Sequence, residues 1–233
     1  IFAQVNPSIL ARFLIGTEAK SVYHGMTARV NKRYRRYYQF VAAYTLGKAI
    51  DDATDINQSL VPQNPLNARD ERSLSAFDVR HRLVLSAVLE SPFRHAALRE
   101  FMLSPISTYR SGYPFNLLLG VDPGTNNFNA VNTQRPAGAG RNTGRGPNFY
   151  SLDLRLARKF HLNERWNIDW IMEGFNLLNR TNFKSVNNVV GSFLFPYPTF
   201  SVSGIKGKPS TEFLGFTEAY APRQFQLAVK INF

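Results

Sequence analysis

The sequence predicts an all-β fold, an antiparallel up-and-down meander whose strands have one apolar and one polar face. Three observations carry that expectation. Apolar residues recur at every second position over long stretches, the period of a half-buried strand. The connections between those stretches alternate between tight turns and long loops rich in Asn, Gly, Pro and Ser. No apolar run approaches the roughly 20 residues of a membrane-spanning helix. Together they predict a fragment of a large transmembrane β-barrel, with about seven or eight strands.

The strands follow in order. The stretch 22–34 alternates weakly and turns at Arg35 and Arg36 into 37–50. There Tyr38, Phe40, Ala42, Tyr44 and Leu46 form one face, opposite Tyr37, Gln39, Val41, Ala43 and Thr45. In 78–90, Val79, His81, Leu83, Leu85, Ala87 and Leu89 alternate with Asp78, Arg80, Arg82, Val84, Ser86 and Val88. The segment SPFRHAA leads to 98–110, interrupted by Pro105, which a β-ladder confines to a bulge or an edge. In 149–160, Tyr150, Leu152, Leu154 and Leu156 alternate with Ser151, Asp153, Arg155 and Ala157. After HLNER, Trp166, Ile168, Trp170 and Met172 alternate with Asn167, Asp169, Ile171 and Glu173. The last strand sets Phe225, Leu227, Val229, Ile231 and Phe233 against Gln226, Ala228, Lys230 and Asn232. A stub at 9–15 makes an eighth strand, and long loops cover about 51–77, 111–148 and 177–219.

This rhythm matches an outer-membrane barrel, with tight turns in the periplasm and long loops outside. Lipid offers backbone groups no partner, so a β-structure can span it only as a closed barrel with apolar side chains outward. Arg80, Arg82, Asp153, Arg155, Asp169 and Glu173 then face the water-filled lumen, as do Arg29 and Arg33. His81 is the exception, a polar residue in the lipid-facing register. A soluble β-sandwich also alternates, but its connections are mostly short. The outward aromatics Tyr38, Phe40, Phe160, Trp166 and Trp170 suit an interfacial girdle.

Composition narrows the classes further. With 44% hydrophobic residues the chain of 233 supports an ordered structure. A formal net charge of +12 admits nucleic acid, anionic lipid or acidic ligands without choosing among them. Cysteine is absent, which excludes disulfides, thiolate metal sites and cysteine nucleophiles from this chain. The opening IFAQVNP has neither an initiator Met nor a basic leader, and the reading treats 1–233 as the C-terminal part of a longer chain.

The stretches YTLGKAIDD and PQNPLNARDERSLSAFDVRHRLVLSAVLESPF resemble the C-terminal barrel of TonB-dependent outer-membrane receptors. SGYPF at 111–115, GRNTGRGPNFYSLDLRLARKF at 140–160, EGFNLLNRTNF at 173–183 and the terminal RQFQLAVKINF follow in the same order. The nearest branch is the Oar-like group, whose members often carry an N-terminal carboxypeptidase-regulatory-like domain. The resemblance implies a barrel of about 22 strands around a plug, and active uptake powered by the inner-membrane TonB complex. No TonB box, plug or first barrel half stands in this sequence. The resemblance also makes Phe225, Leu227, Val229, Ile231 and Phe233 an assembly signal read by the barrel-assembly machinery; Phe233 suits an interfacial girdle as well.

Other constellations carry little chemistry. Asp51, Asp52 and Asp55 spell DDxxD, a diphosphate–Mg²⁺ pattern on a helix, but here they leave a strand for a polar loop. They read as solvated charge, or as a loose Ca²⁺ site of oxygen ligands. His24, His81, His95 and His161 lack metal-ligand spacing, and neither GxSxG nor a P-loop occurs. No enzyme activity and no cofactor are expected. GAGRNTGRG at 138–146 reads as a flexible outer loop. KRYRR at 32–36 has the look of a nucleic-acid patch but sits at a periplasmic turn, so no nucleic-acid partner is expected. The luminal arginines could favour anionic solutes or pair with carboxylates of plug and strands. The expected function is uptake of an unidentified ligand through the outer membrane. The alternative is a surface protein whose barrel displays adhesive or matrix-binding loops. A soluble nucleic-acid-binding β-protein is the third and weakest reading.

Overall fold

The computed structural model describes residues 19–53, 62–63, 67–95, 98–120, 135–136, 138–163, 165–190 and 212–233. The expected stub at 9–15 and Asp55 lie outside them. Twelve strands occur among the described residues: β1 (Ser21–Arg35), β2 (Tyr38–Asp51), β3 (Ser73–Leu74), β4 (His81–Glu90), β5 (Phe101–Arg110), β6 (Pro114–Phe115), β7 (Gly144–Arg145), β8 (Phe149–His161), β9 (Asn167–Phe175), β10 (Phe183–Val186), β11 (Phe216–Ala219) and β12 (Gln224–Asn232). The seven long strands form one antiparallel sheet in the order β1-β2-β4-β5-β8-β9-β12, with β3 added to β2. Each long strand lies beside the previous and the next long strand in the chain, so the sheet is a next-neighbour meander. It is open: β1 and β12 are its two borders among the described residues. The pairs β6–β7 and β10–β11 form separate ribbons in the loops.

The register keeps the apolar sets on one face. Tyr38, Phe40, Ala42 and Tyr44 stand opposite Leu89, Ala87, Leu85 and Leu83. Leu103 and Pro105 meet Leu156 and Leu154, which in turn meet Met172 and Gly174. Leu227, Val229 and Ile231 meet Met172, Trp170 and Ile168. A slip of one residue at any strand would transfer that strand's apolar set to the polar face; none occurs between these strands.

Nothing in the described structure covers the apolar face. Among the described residues only four hydrophobic ones are buried, Leu117, Ala157, Val190 and Leu214, and three of those lie in loops. Phe225, Leu227, Val229 and Ile231 are each more than half exposed. A water-soluble domain would bury such a face against a second layer, whereas lipid covers it directly.

The tight connections gather at one end. Arg36 and Tyr37 both have positive φ, 53° and 75°, the backbone of a two-residue primed hairpin turn. One extra residue in β1 between Lys32 and Arg35 forms a bulge beside it. That bulge removes Arg33 from the regular register, so its expected luminal position does not follow from alternation. Pro105 corrects another expectation. β5 is a central strand, not an edge, and its register to β4 does not shift. Instead the ladder skips the two positions opposite Ala87 and Val88, which accommodates the missing Pro105 donor without a bulge.

Candidate functional site

At the opposite end buried ion pairs join the loop after β2 to the loop after β5, and hydrogen bonds add the loop after β9. The sequence puts Glu71 on a single 3-10 turn, Ala68–Glu71, between β2 and β3. The Arg135 guanidinium grips both carboxylate oxygens of Glu71, at 2.8 and 2.7 Å. Gln63 donates its backbone N–H to the same carboxylate at 2.9 Å and its amide to the Arg135 carbonyl at 3.0 Å. Arg141 donates from Nε to the Glu71 carbonyl at 2.8 Å and pairs with the Asp51 carboxylate at the end of β2. Burial by itself would raise the Glu71 pKa, but the Arg135 hydrogen bonds, the Gln63 amide and the charges of Arg135 and Arg141 bring it below its ordinary value.

Asparagines continue the lacing. Asn142 takes up a left-handed backbone, φ 54°, and donates its side chain to the Leu74 carbonyl at 2.7 Å. Its N–H reaches the Asn116 carboxamide at 2.7 Å, and Asn188 donates to the Asn116 carbonyl at 2.8 Å. Leu118 and Val189 form a parallel bridge. The loop after β2, the loop after β5 and the loop after β9 therefore hold one another. Gly112 lets the loop after β5 fold back on itself, since a Cβ there would lie 1.8 Å from the Gly146 carbonyl oxygen.

Two expectations are corrected by this geometry. Asp51 is a buried partner of Arg141, and Asp52 pairs with Arg72 at 3.0 Å, so neither carboxylate is simply solvated. Among the described residues no three His, Cys, Asp or Glu side chains gather as a metal site. The segment 138–146 is pinned through Arg141, Asn142 and β7 rather than a free loop. Sequence reading missed Glu71 and Arg135 because their partnership spans 64 positions.

The register also puts Arg82, Asp153, Arg155, Asp169 and Glu173 on one face, while Arg80 lies just before β4 and has no register partner. Arg155 stands opposite Glu173 and pairs with it at 3.5 Å. Asp169 accepts from Asn232 at 3.0 Å. Asp153 accepts from Ser151 at 2.6 Å and from the backbone of Asn176 at 2.9 Å. Arg80 lies 3.8 Å from Asp78, whose carboxylate is fully buried and accepts from Ala49 at 2.8 Å. Arg82 pairs in register with Arg110. The asparagines of EGFNLLNRTNF are structural: Asn176 binds both backbone groups of Arg180, and Asn182 exchanges two hydrogen bonds with Tyr150.

His81, the exception on the apolar face, is satisfied by the Tyr44 hydroxyl 2.8 Å from its Nδ1. At the tight-turn end basic side chains lie against aromatic rings: Lys32 is 3.4 Å from the Tyr38 centroid, and Arg158 lies near Phe101 and Phe160. The terminal Phe233, 91% exposed, packs its ring against Trp166 with centroids 5.3 Å apart. Both aromatics extend the apolar column of β9 and β12.

Comparison with known proteins agrees with this architecture. The family described as Outer membrane beta barrel domain matches residues 6–139 and 125–226, most of the chain. No curated protein and no solved structure matches. The uncovered apolar face, the segregated turns and loops and the family match lead to one conclusion: this chain belongs to the outer membrane beta barrel domain family and resides in the outer membrane.

Proposed function

We propose that this chain forms the C-terminal part of the barrel of a TonB-dependent transporter of the Oar-like branch, which takes up a ligand from outside the cell. The ordered motifs from YTLGKAIDD to RQFQLAVKINF suggest the branch. The observation that carries transport over display is the interlocking of the outer loops. Display favours loops that project separately, whereas here Arg135 and Arg141 tie the loop after β5 to Glu71 and Asp51 in buried pairs. That arrangement forms a cap by which a ligand can be held above a gated lumen. In this reading the plug and the TonB box lie upstream, the chain does no catalysis, and nucleic acid is not a partner.

The test is binding of purified full-length protein to the periplasmic domain of TonB. Saturable binding that is lost when the upstream TonB box is deleted is the expected result. A full-length protein with no plug and no such binding would favour the display reading.

Assembly gives a second expectation. Phe233 belongs to the signal read by the barrel-assembly machinery in this proposal. Deleting it removes the ring contact with Trp166, and burial of one Phe side chain is worth about 1.5–3 kcal/mol. We expect a larger defect in assembly rate than that loss explains, followed as heat-modifiable barrel in the outer membrane over time. Assembly at the parental rate would make Phe233 an ordinary girdle residue.

A further inference from the structure

Two arginines on the polar face stand in a relationship that folding alone does not favour. Arg82, the second residue of β4, lies directly opposite Arg110, the last residue of β5. Like charges directly opposite across a strand pair are destabilising. Neither has a carboxylate within ion-pair distance among the described residues. Arg80 and Arg145 lie close by and share one carboxylate, Asp78, at 3.8 and 3.5 Å. Arg145 reaches the carbonyl of Gly112 at 3.3 Å, which brings it beside the end of β5. Arg80 and Arg145 thus share one buried acid, while Arg82 and Arg110 have none among the described residues.

The surroundings orient this charge. Arg110 donates to the Tyr220 hydroxyl at 3.0 Å and sits 4.3 Å from the Tyr113 ring centroid. Its registered neighbour on the other side is Phe149, which meets Tyr220 edge to face at 5.1 Å. The aromatic groups hold Arg110 in one place without neutralising it. Arg82 remains exposed. The group lies at the loop end of the sheet, close to the cap. Guanidinium groups present planar forks of donors suited to carboxylate and phosphate oxygens.

We propose that Arg82 and Arg110, with Tyr113, Phe149 and Tyr220 as a flanking wall, bind the anionic group of the ligand, a carboxylate or phosphate. This rests on the transport reading for the word ligand, while the site itself stands on the charge arrangement. The excess positive charge draws an anion through the cap, and the unfavourable Arg–Arg opposition is relieved when it binds.

The experiment uses purified full-length protein in detergent at low ionic strength. Calorimetric titration with citrate and with tripolyphosphate distinguishes carboxylate from phosphate recognition. We expect at least one probe to bind, with affinity falling as salt rises, and R82Q or R110Q to weaken it at least tenfold. R94Q, which removes the same charge at the tight-turn end, should leave binding unchanged. Without ligand, R82Q should melt no lower than the parent. Failure of both probes to bind, or equal loss in R94Q, would overturn the proposal. So would a lower melting temperature of R82Q with anion binding intact, which would assign Arg82 to an acidic side chain elsewhere in the protein. No step needs TonB, so a failure of coupling and a failure of anion binding are separate results.

Discussion

Arg135→Ala is expected to loosen the outer cap by about 3–5 kcal/mol, the cost of leaving one member of a buried ion pair without its partner. The side chains of Arg135 and Glu71 are 7% and 5% exposed, so water replaces little of what is lost. The Glu71 carboxylate would keep the Gln63 amide but lose both guanidinium bonds. The effect should be local. Hydrogen exchange should accelerate at Gln63 and Asn142, and limited proteolysis should cut the loops, while the strands keep their protection. The double replacement Glu71→Gln with Arg135→Met should cost much less, since removing both charges leaves no buried ion. If the single and double variants behave alike, the pair does not hold the cap.

Acid should act on the same contact. The Glu71 pKa is lowered in the folded protein. Its contribution is therefore complete above the ordinary carboxylate value, about 4.3, and is lost as pH falls through the lower folded value. Protection of the cap should hold down to about pH 4 and decline below it. Arg135→Ala should already lack protection at neutral pH.

Leu154→Arg is the second large effect, about 2–4 kcal/mol if the residue lies near the bilayer midplane. Leu154 sits in the interior of β8 between Pro105 and Gly174, on the face that carries Leu152 and Leu156. Its neighbour Arg155 points the other way and pairs with Glu173. The Arg155 side chain is 46% exposed, so Arg155→Leu removes a pair worth about 0–1 kcal/mol. The two substitutions are adjacent in sequence and comparable in size, yet their expected costs differ severalfold. Urea titration of the refolded protein in lipid vesicles measures both, and equal costs would reverse the assignment of faces.

Much of the fold was legible because period-two alternation depends only on local sequence. The strand at 149–160 could be read from Tyr150, Leu152, Leu154 and Leu156 alone, and β8 spans Phe149–His161. The central position of Pro105 was not legible, because an interrupted ladder depends on which strand lies alongside. Arg36 and Tyr37 carry none of the Gly or Asn that mark a primed turn, so only the short spacing announced the hairpin. The cap was least legible. Asp51 was visible as a loop acid, but its partner Arg141 lies 90 positions away in a Gly-rich stretch that reads as flexible. Arg82 was expected as a luminal charge, while its opposition to Arg110 required the β4–β5 register.

Lipid exposure along β8 tests the central claim most directly. The chain has no cysteine of its own, so single substitutions at 150 through 157 in the full-length protein can carry a spin label one at a time, once any upstream cysteine is removed. In outer-membrane lipid vesicles the labels at 150, 152, 154 and 156 should be accessible to oxygen and shielded from a water-soluble nickel chelate. Labels at 151, 153, 155 and 157 should show less oxygen access. Equal accessibility at both sets, or chelate access at the even positions, would contradict a strand that spans the outer membrane with its apolar face in lipid.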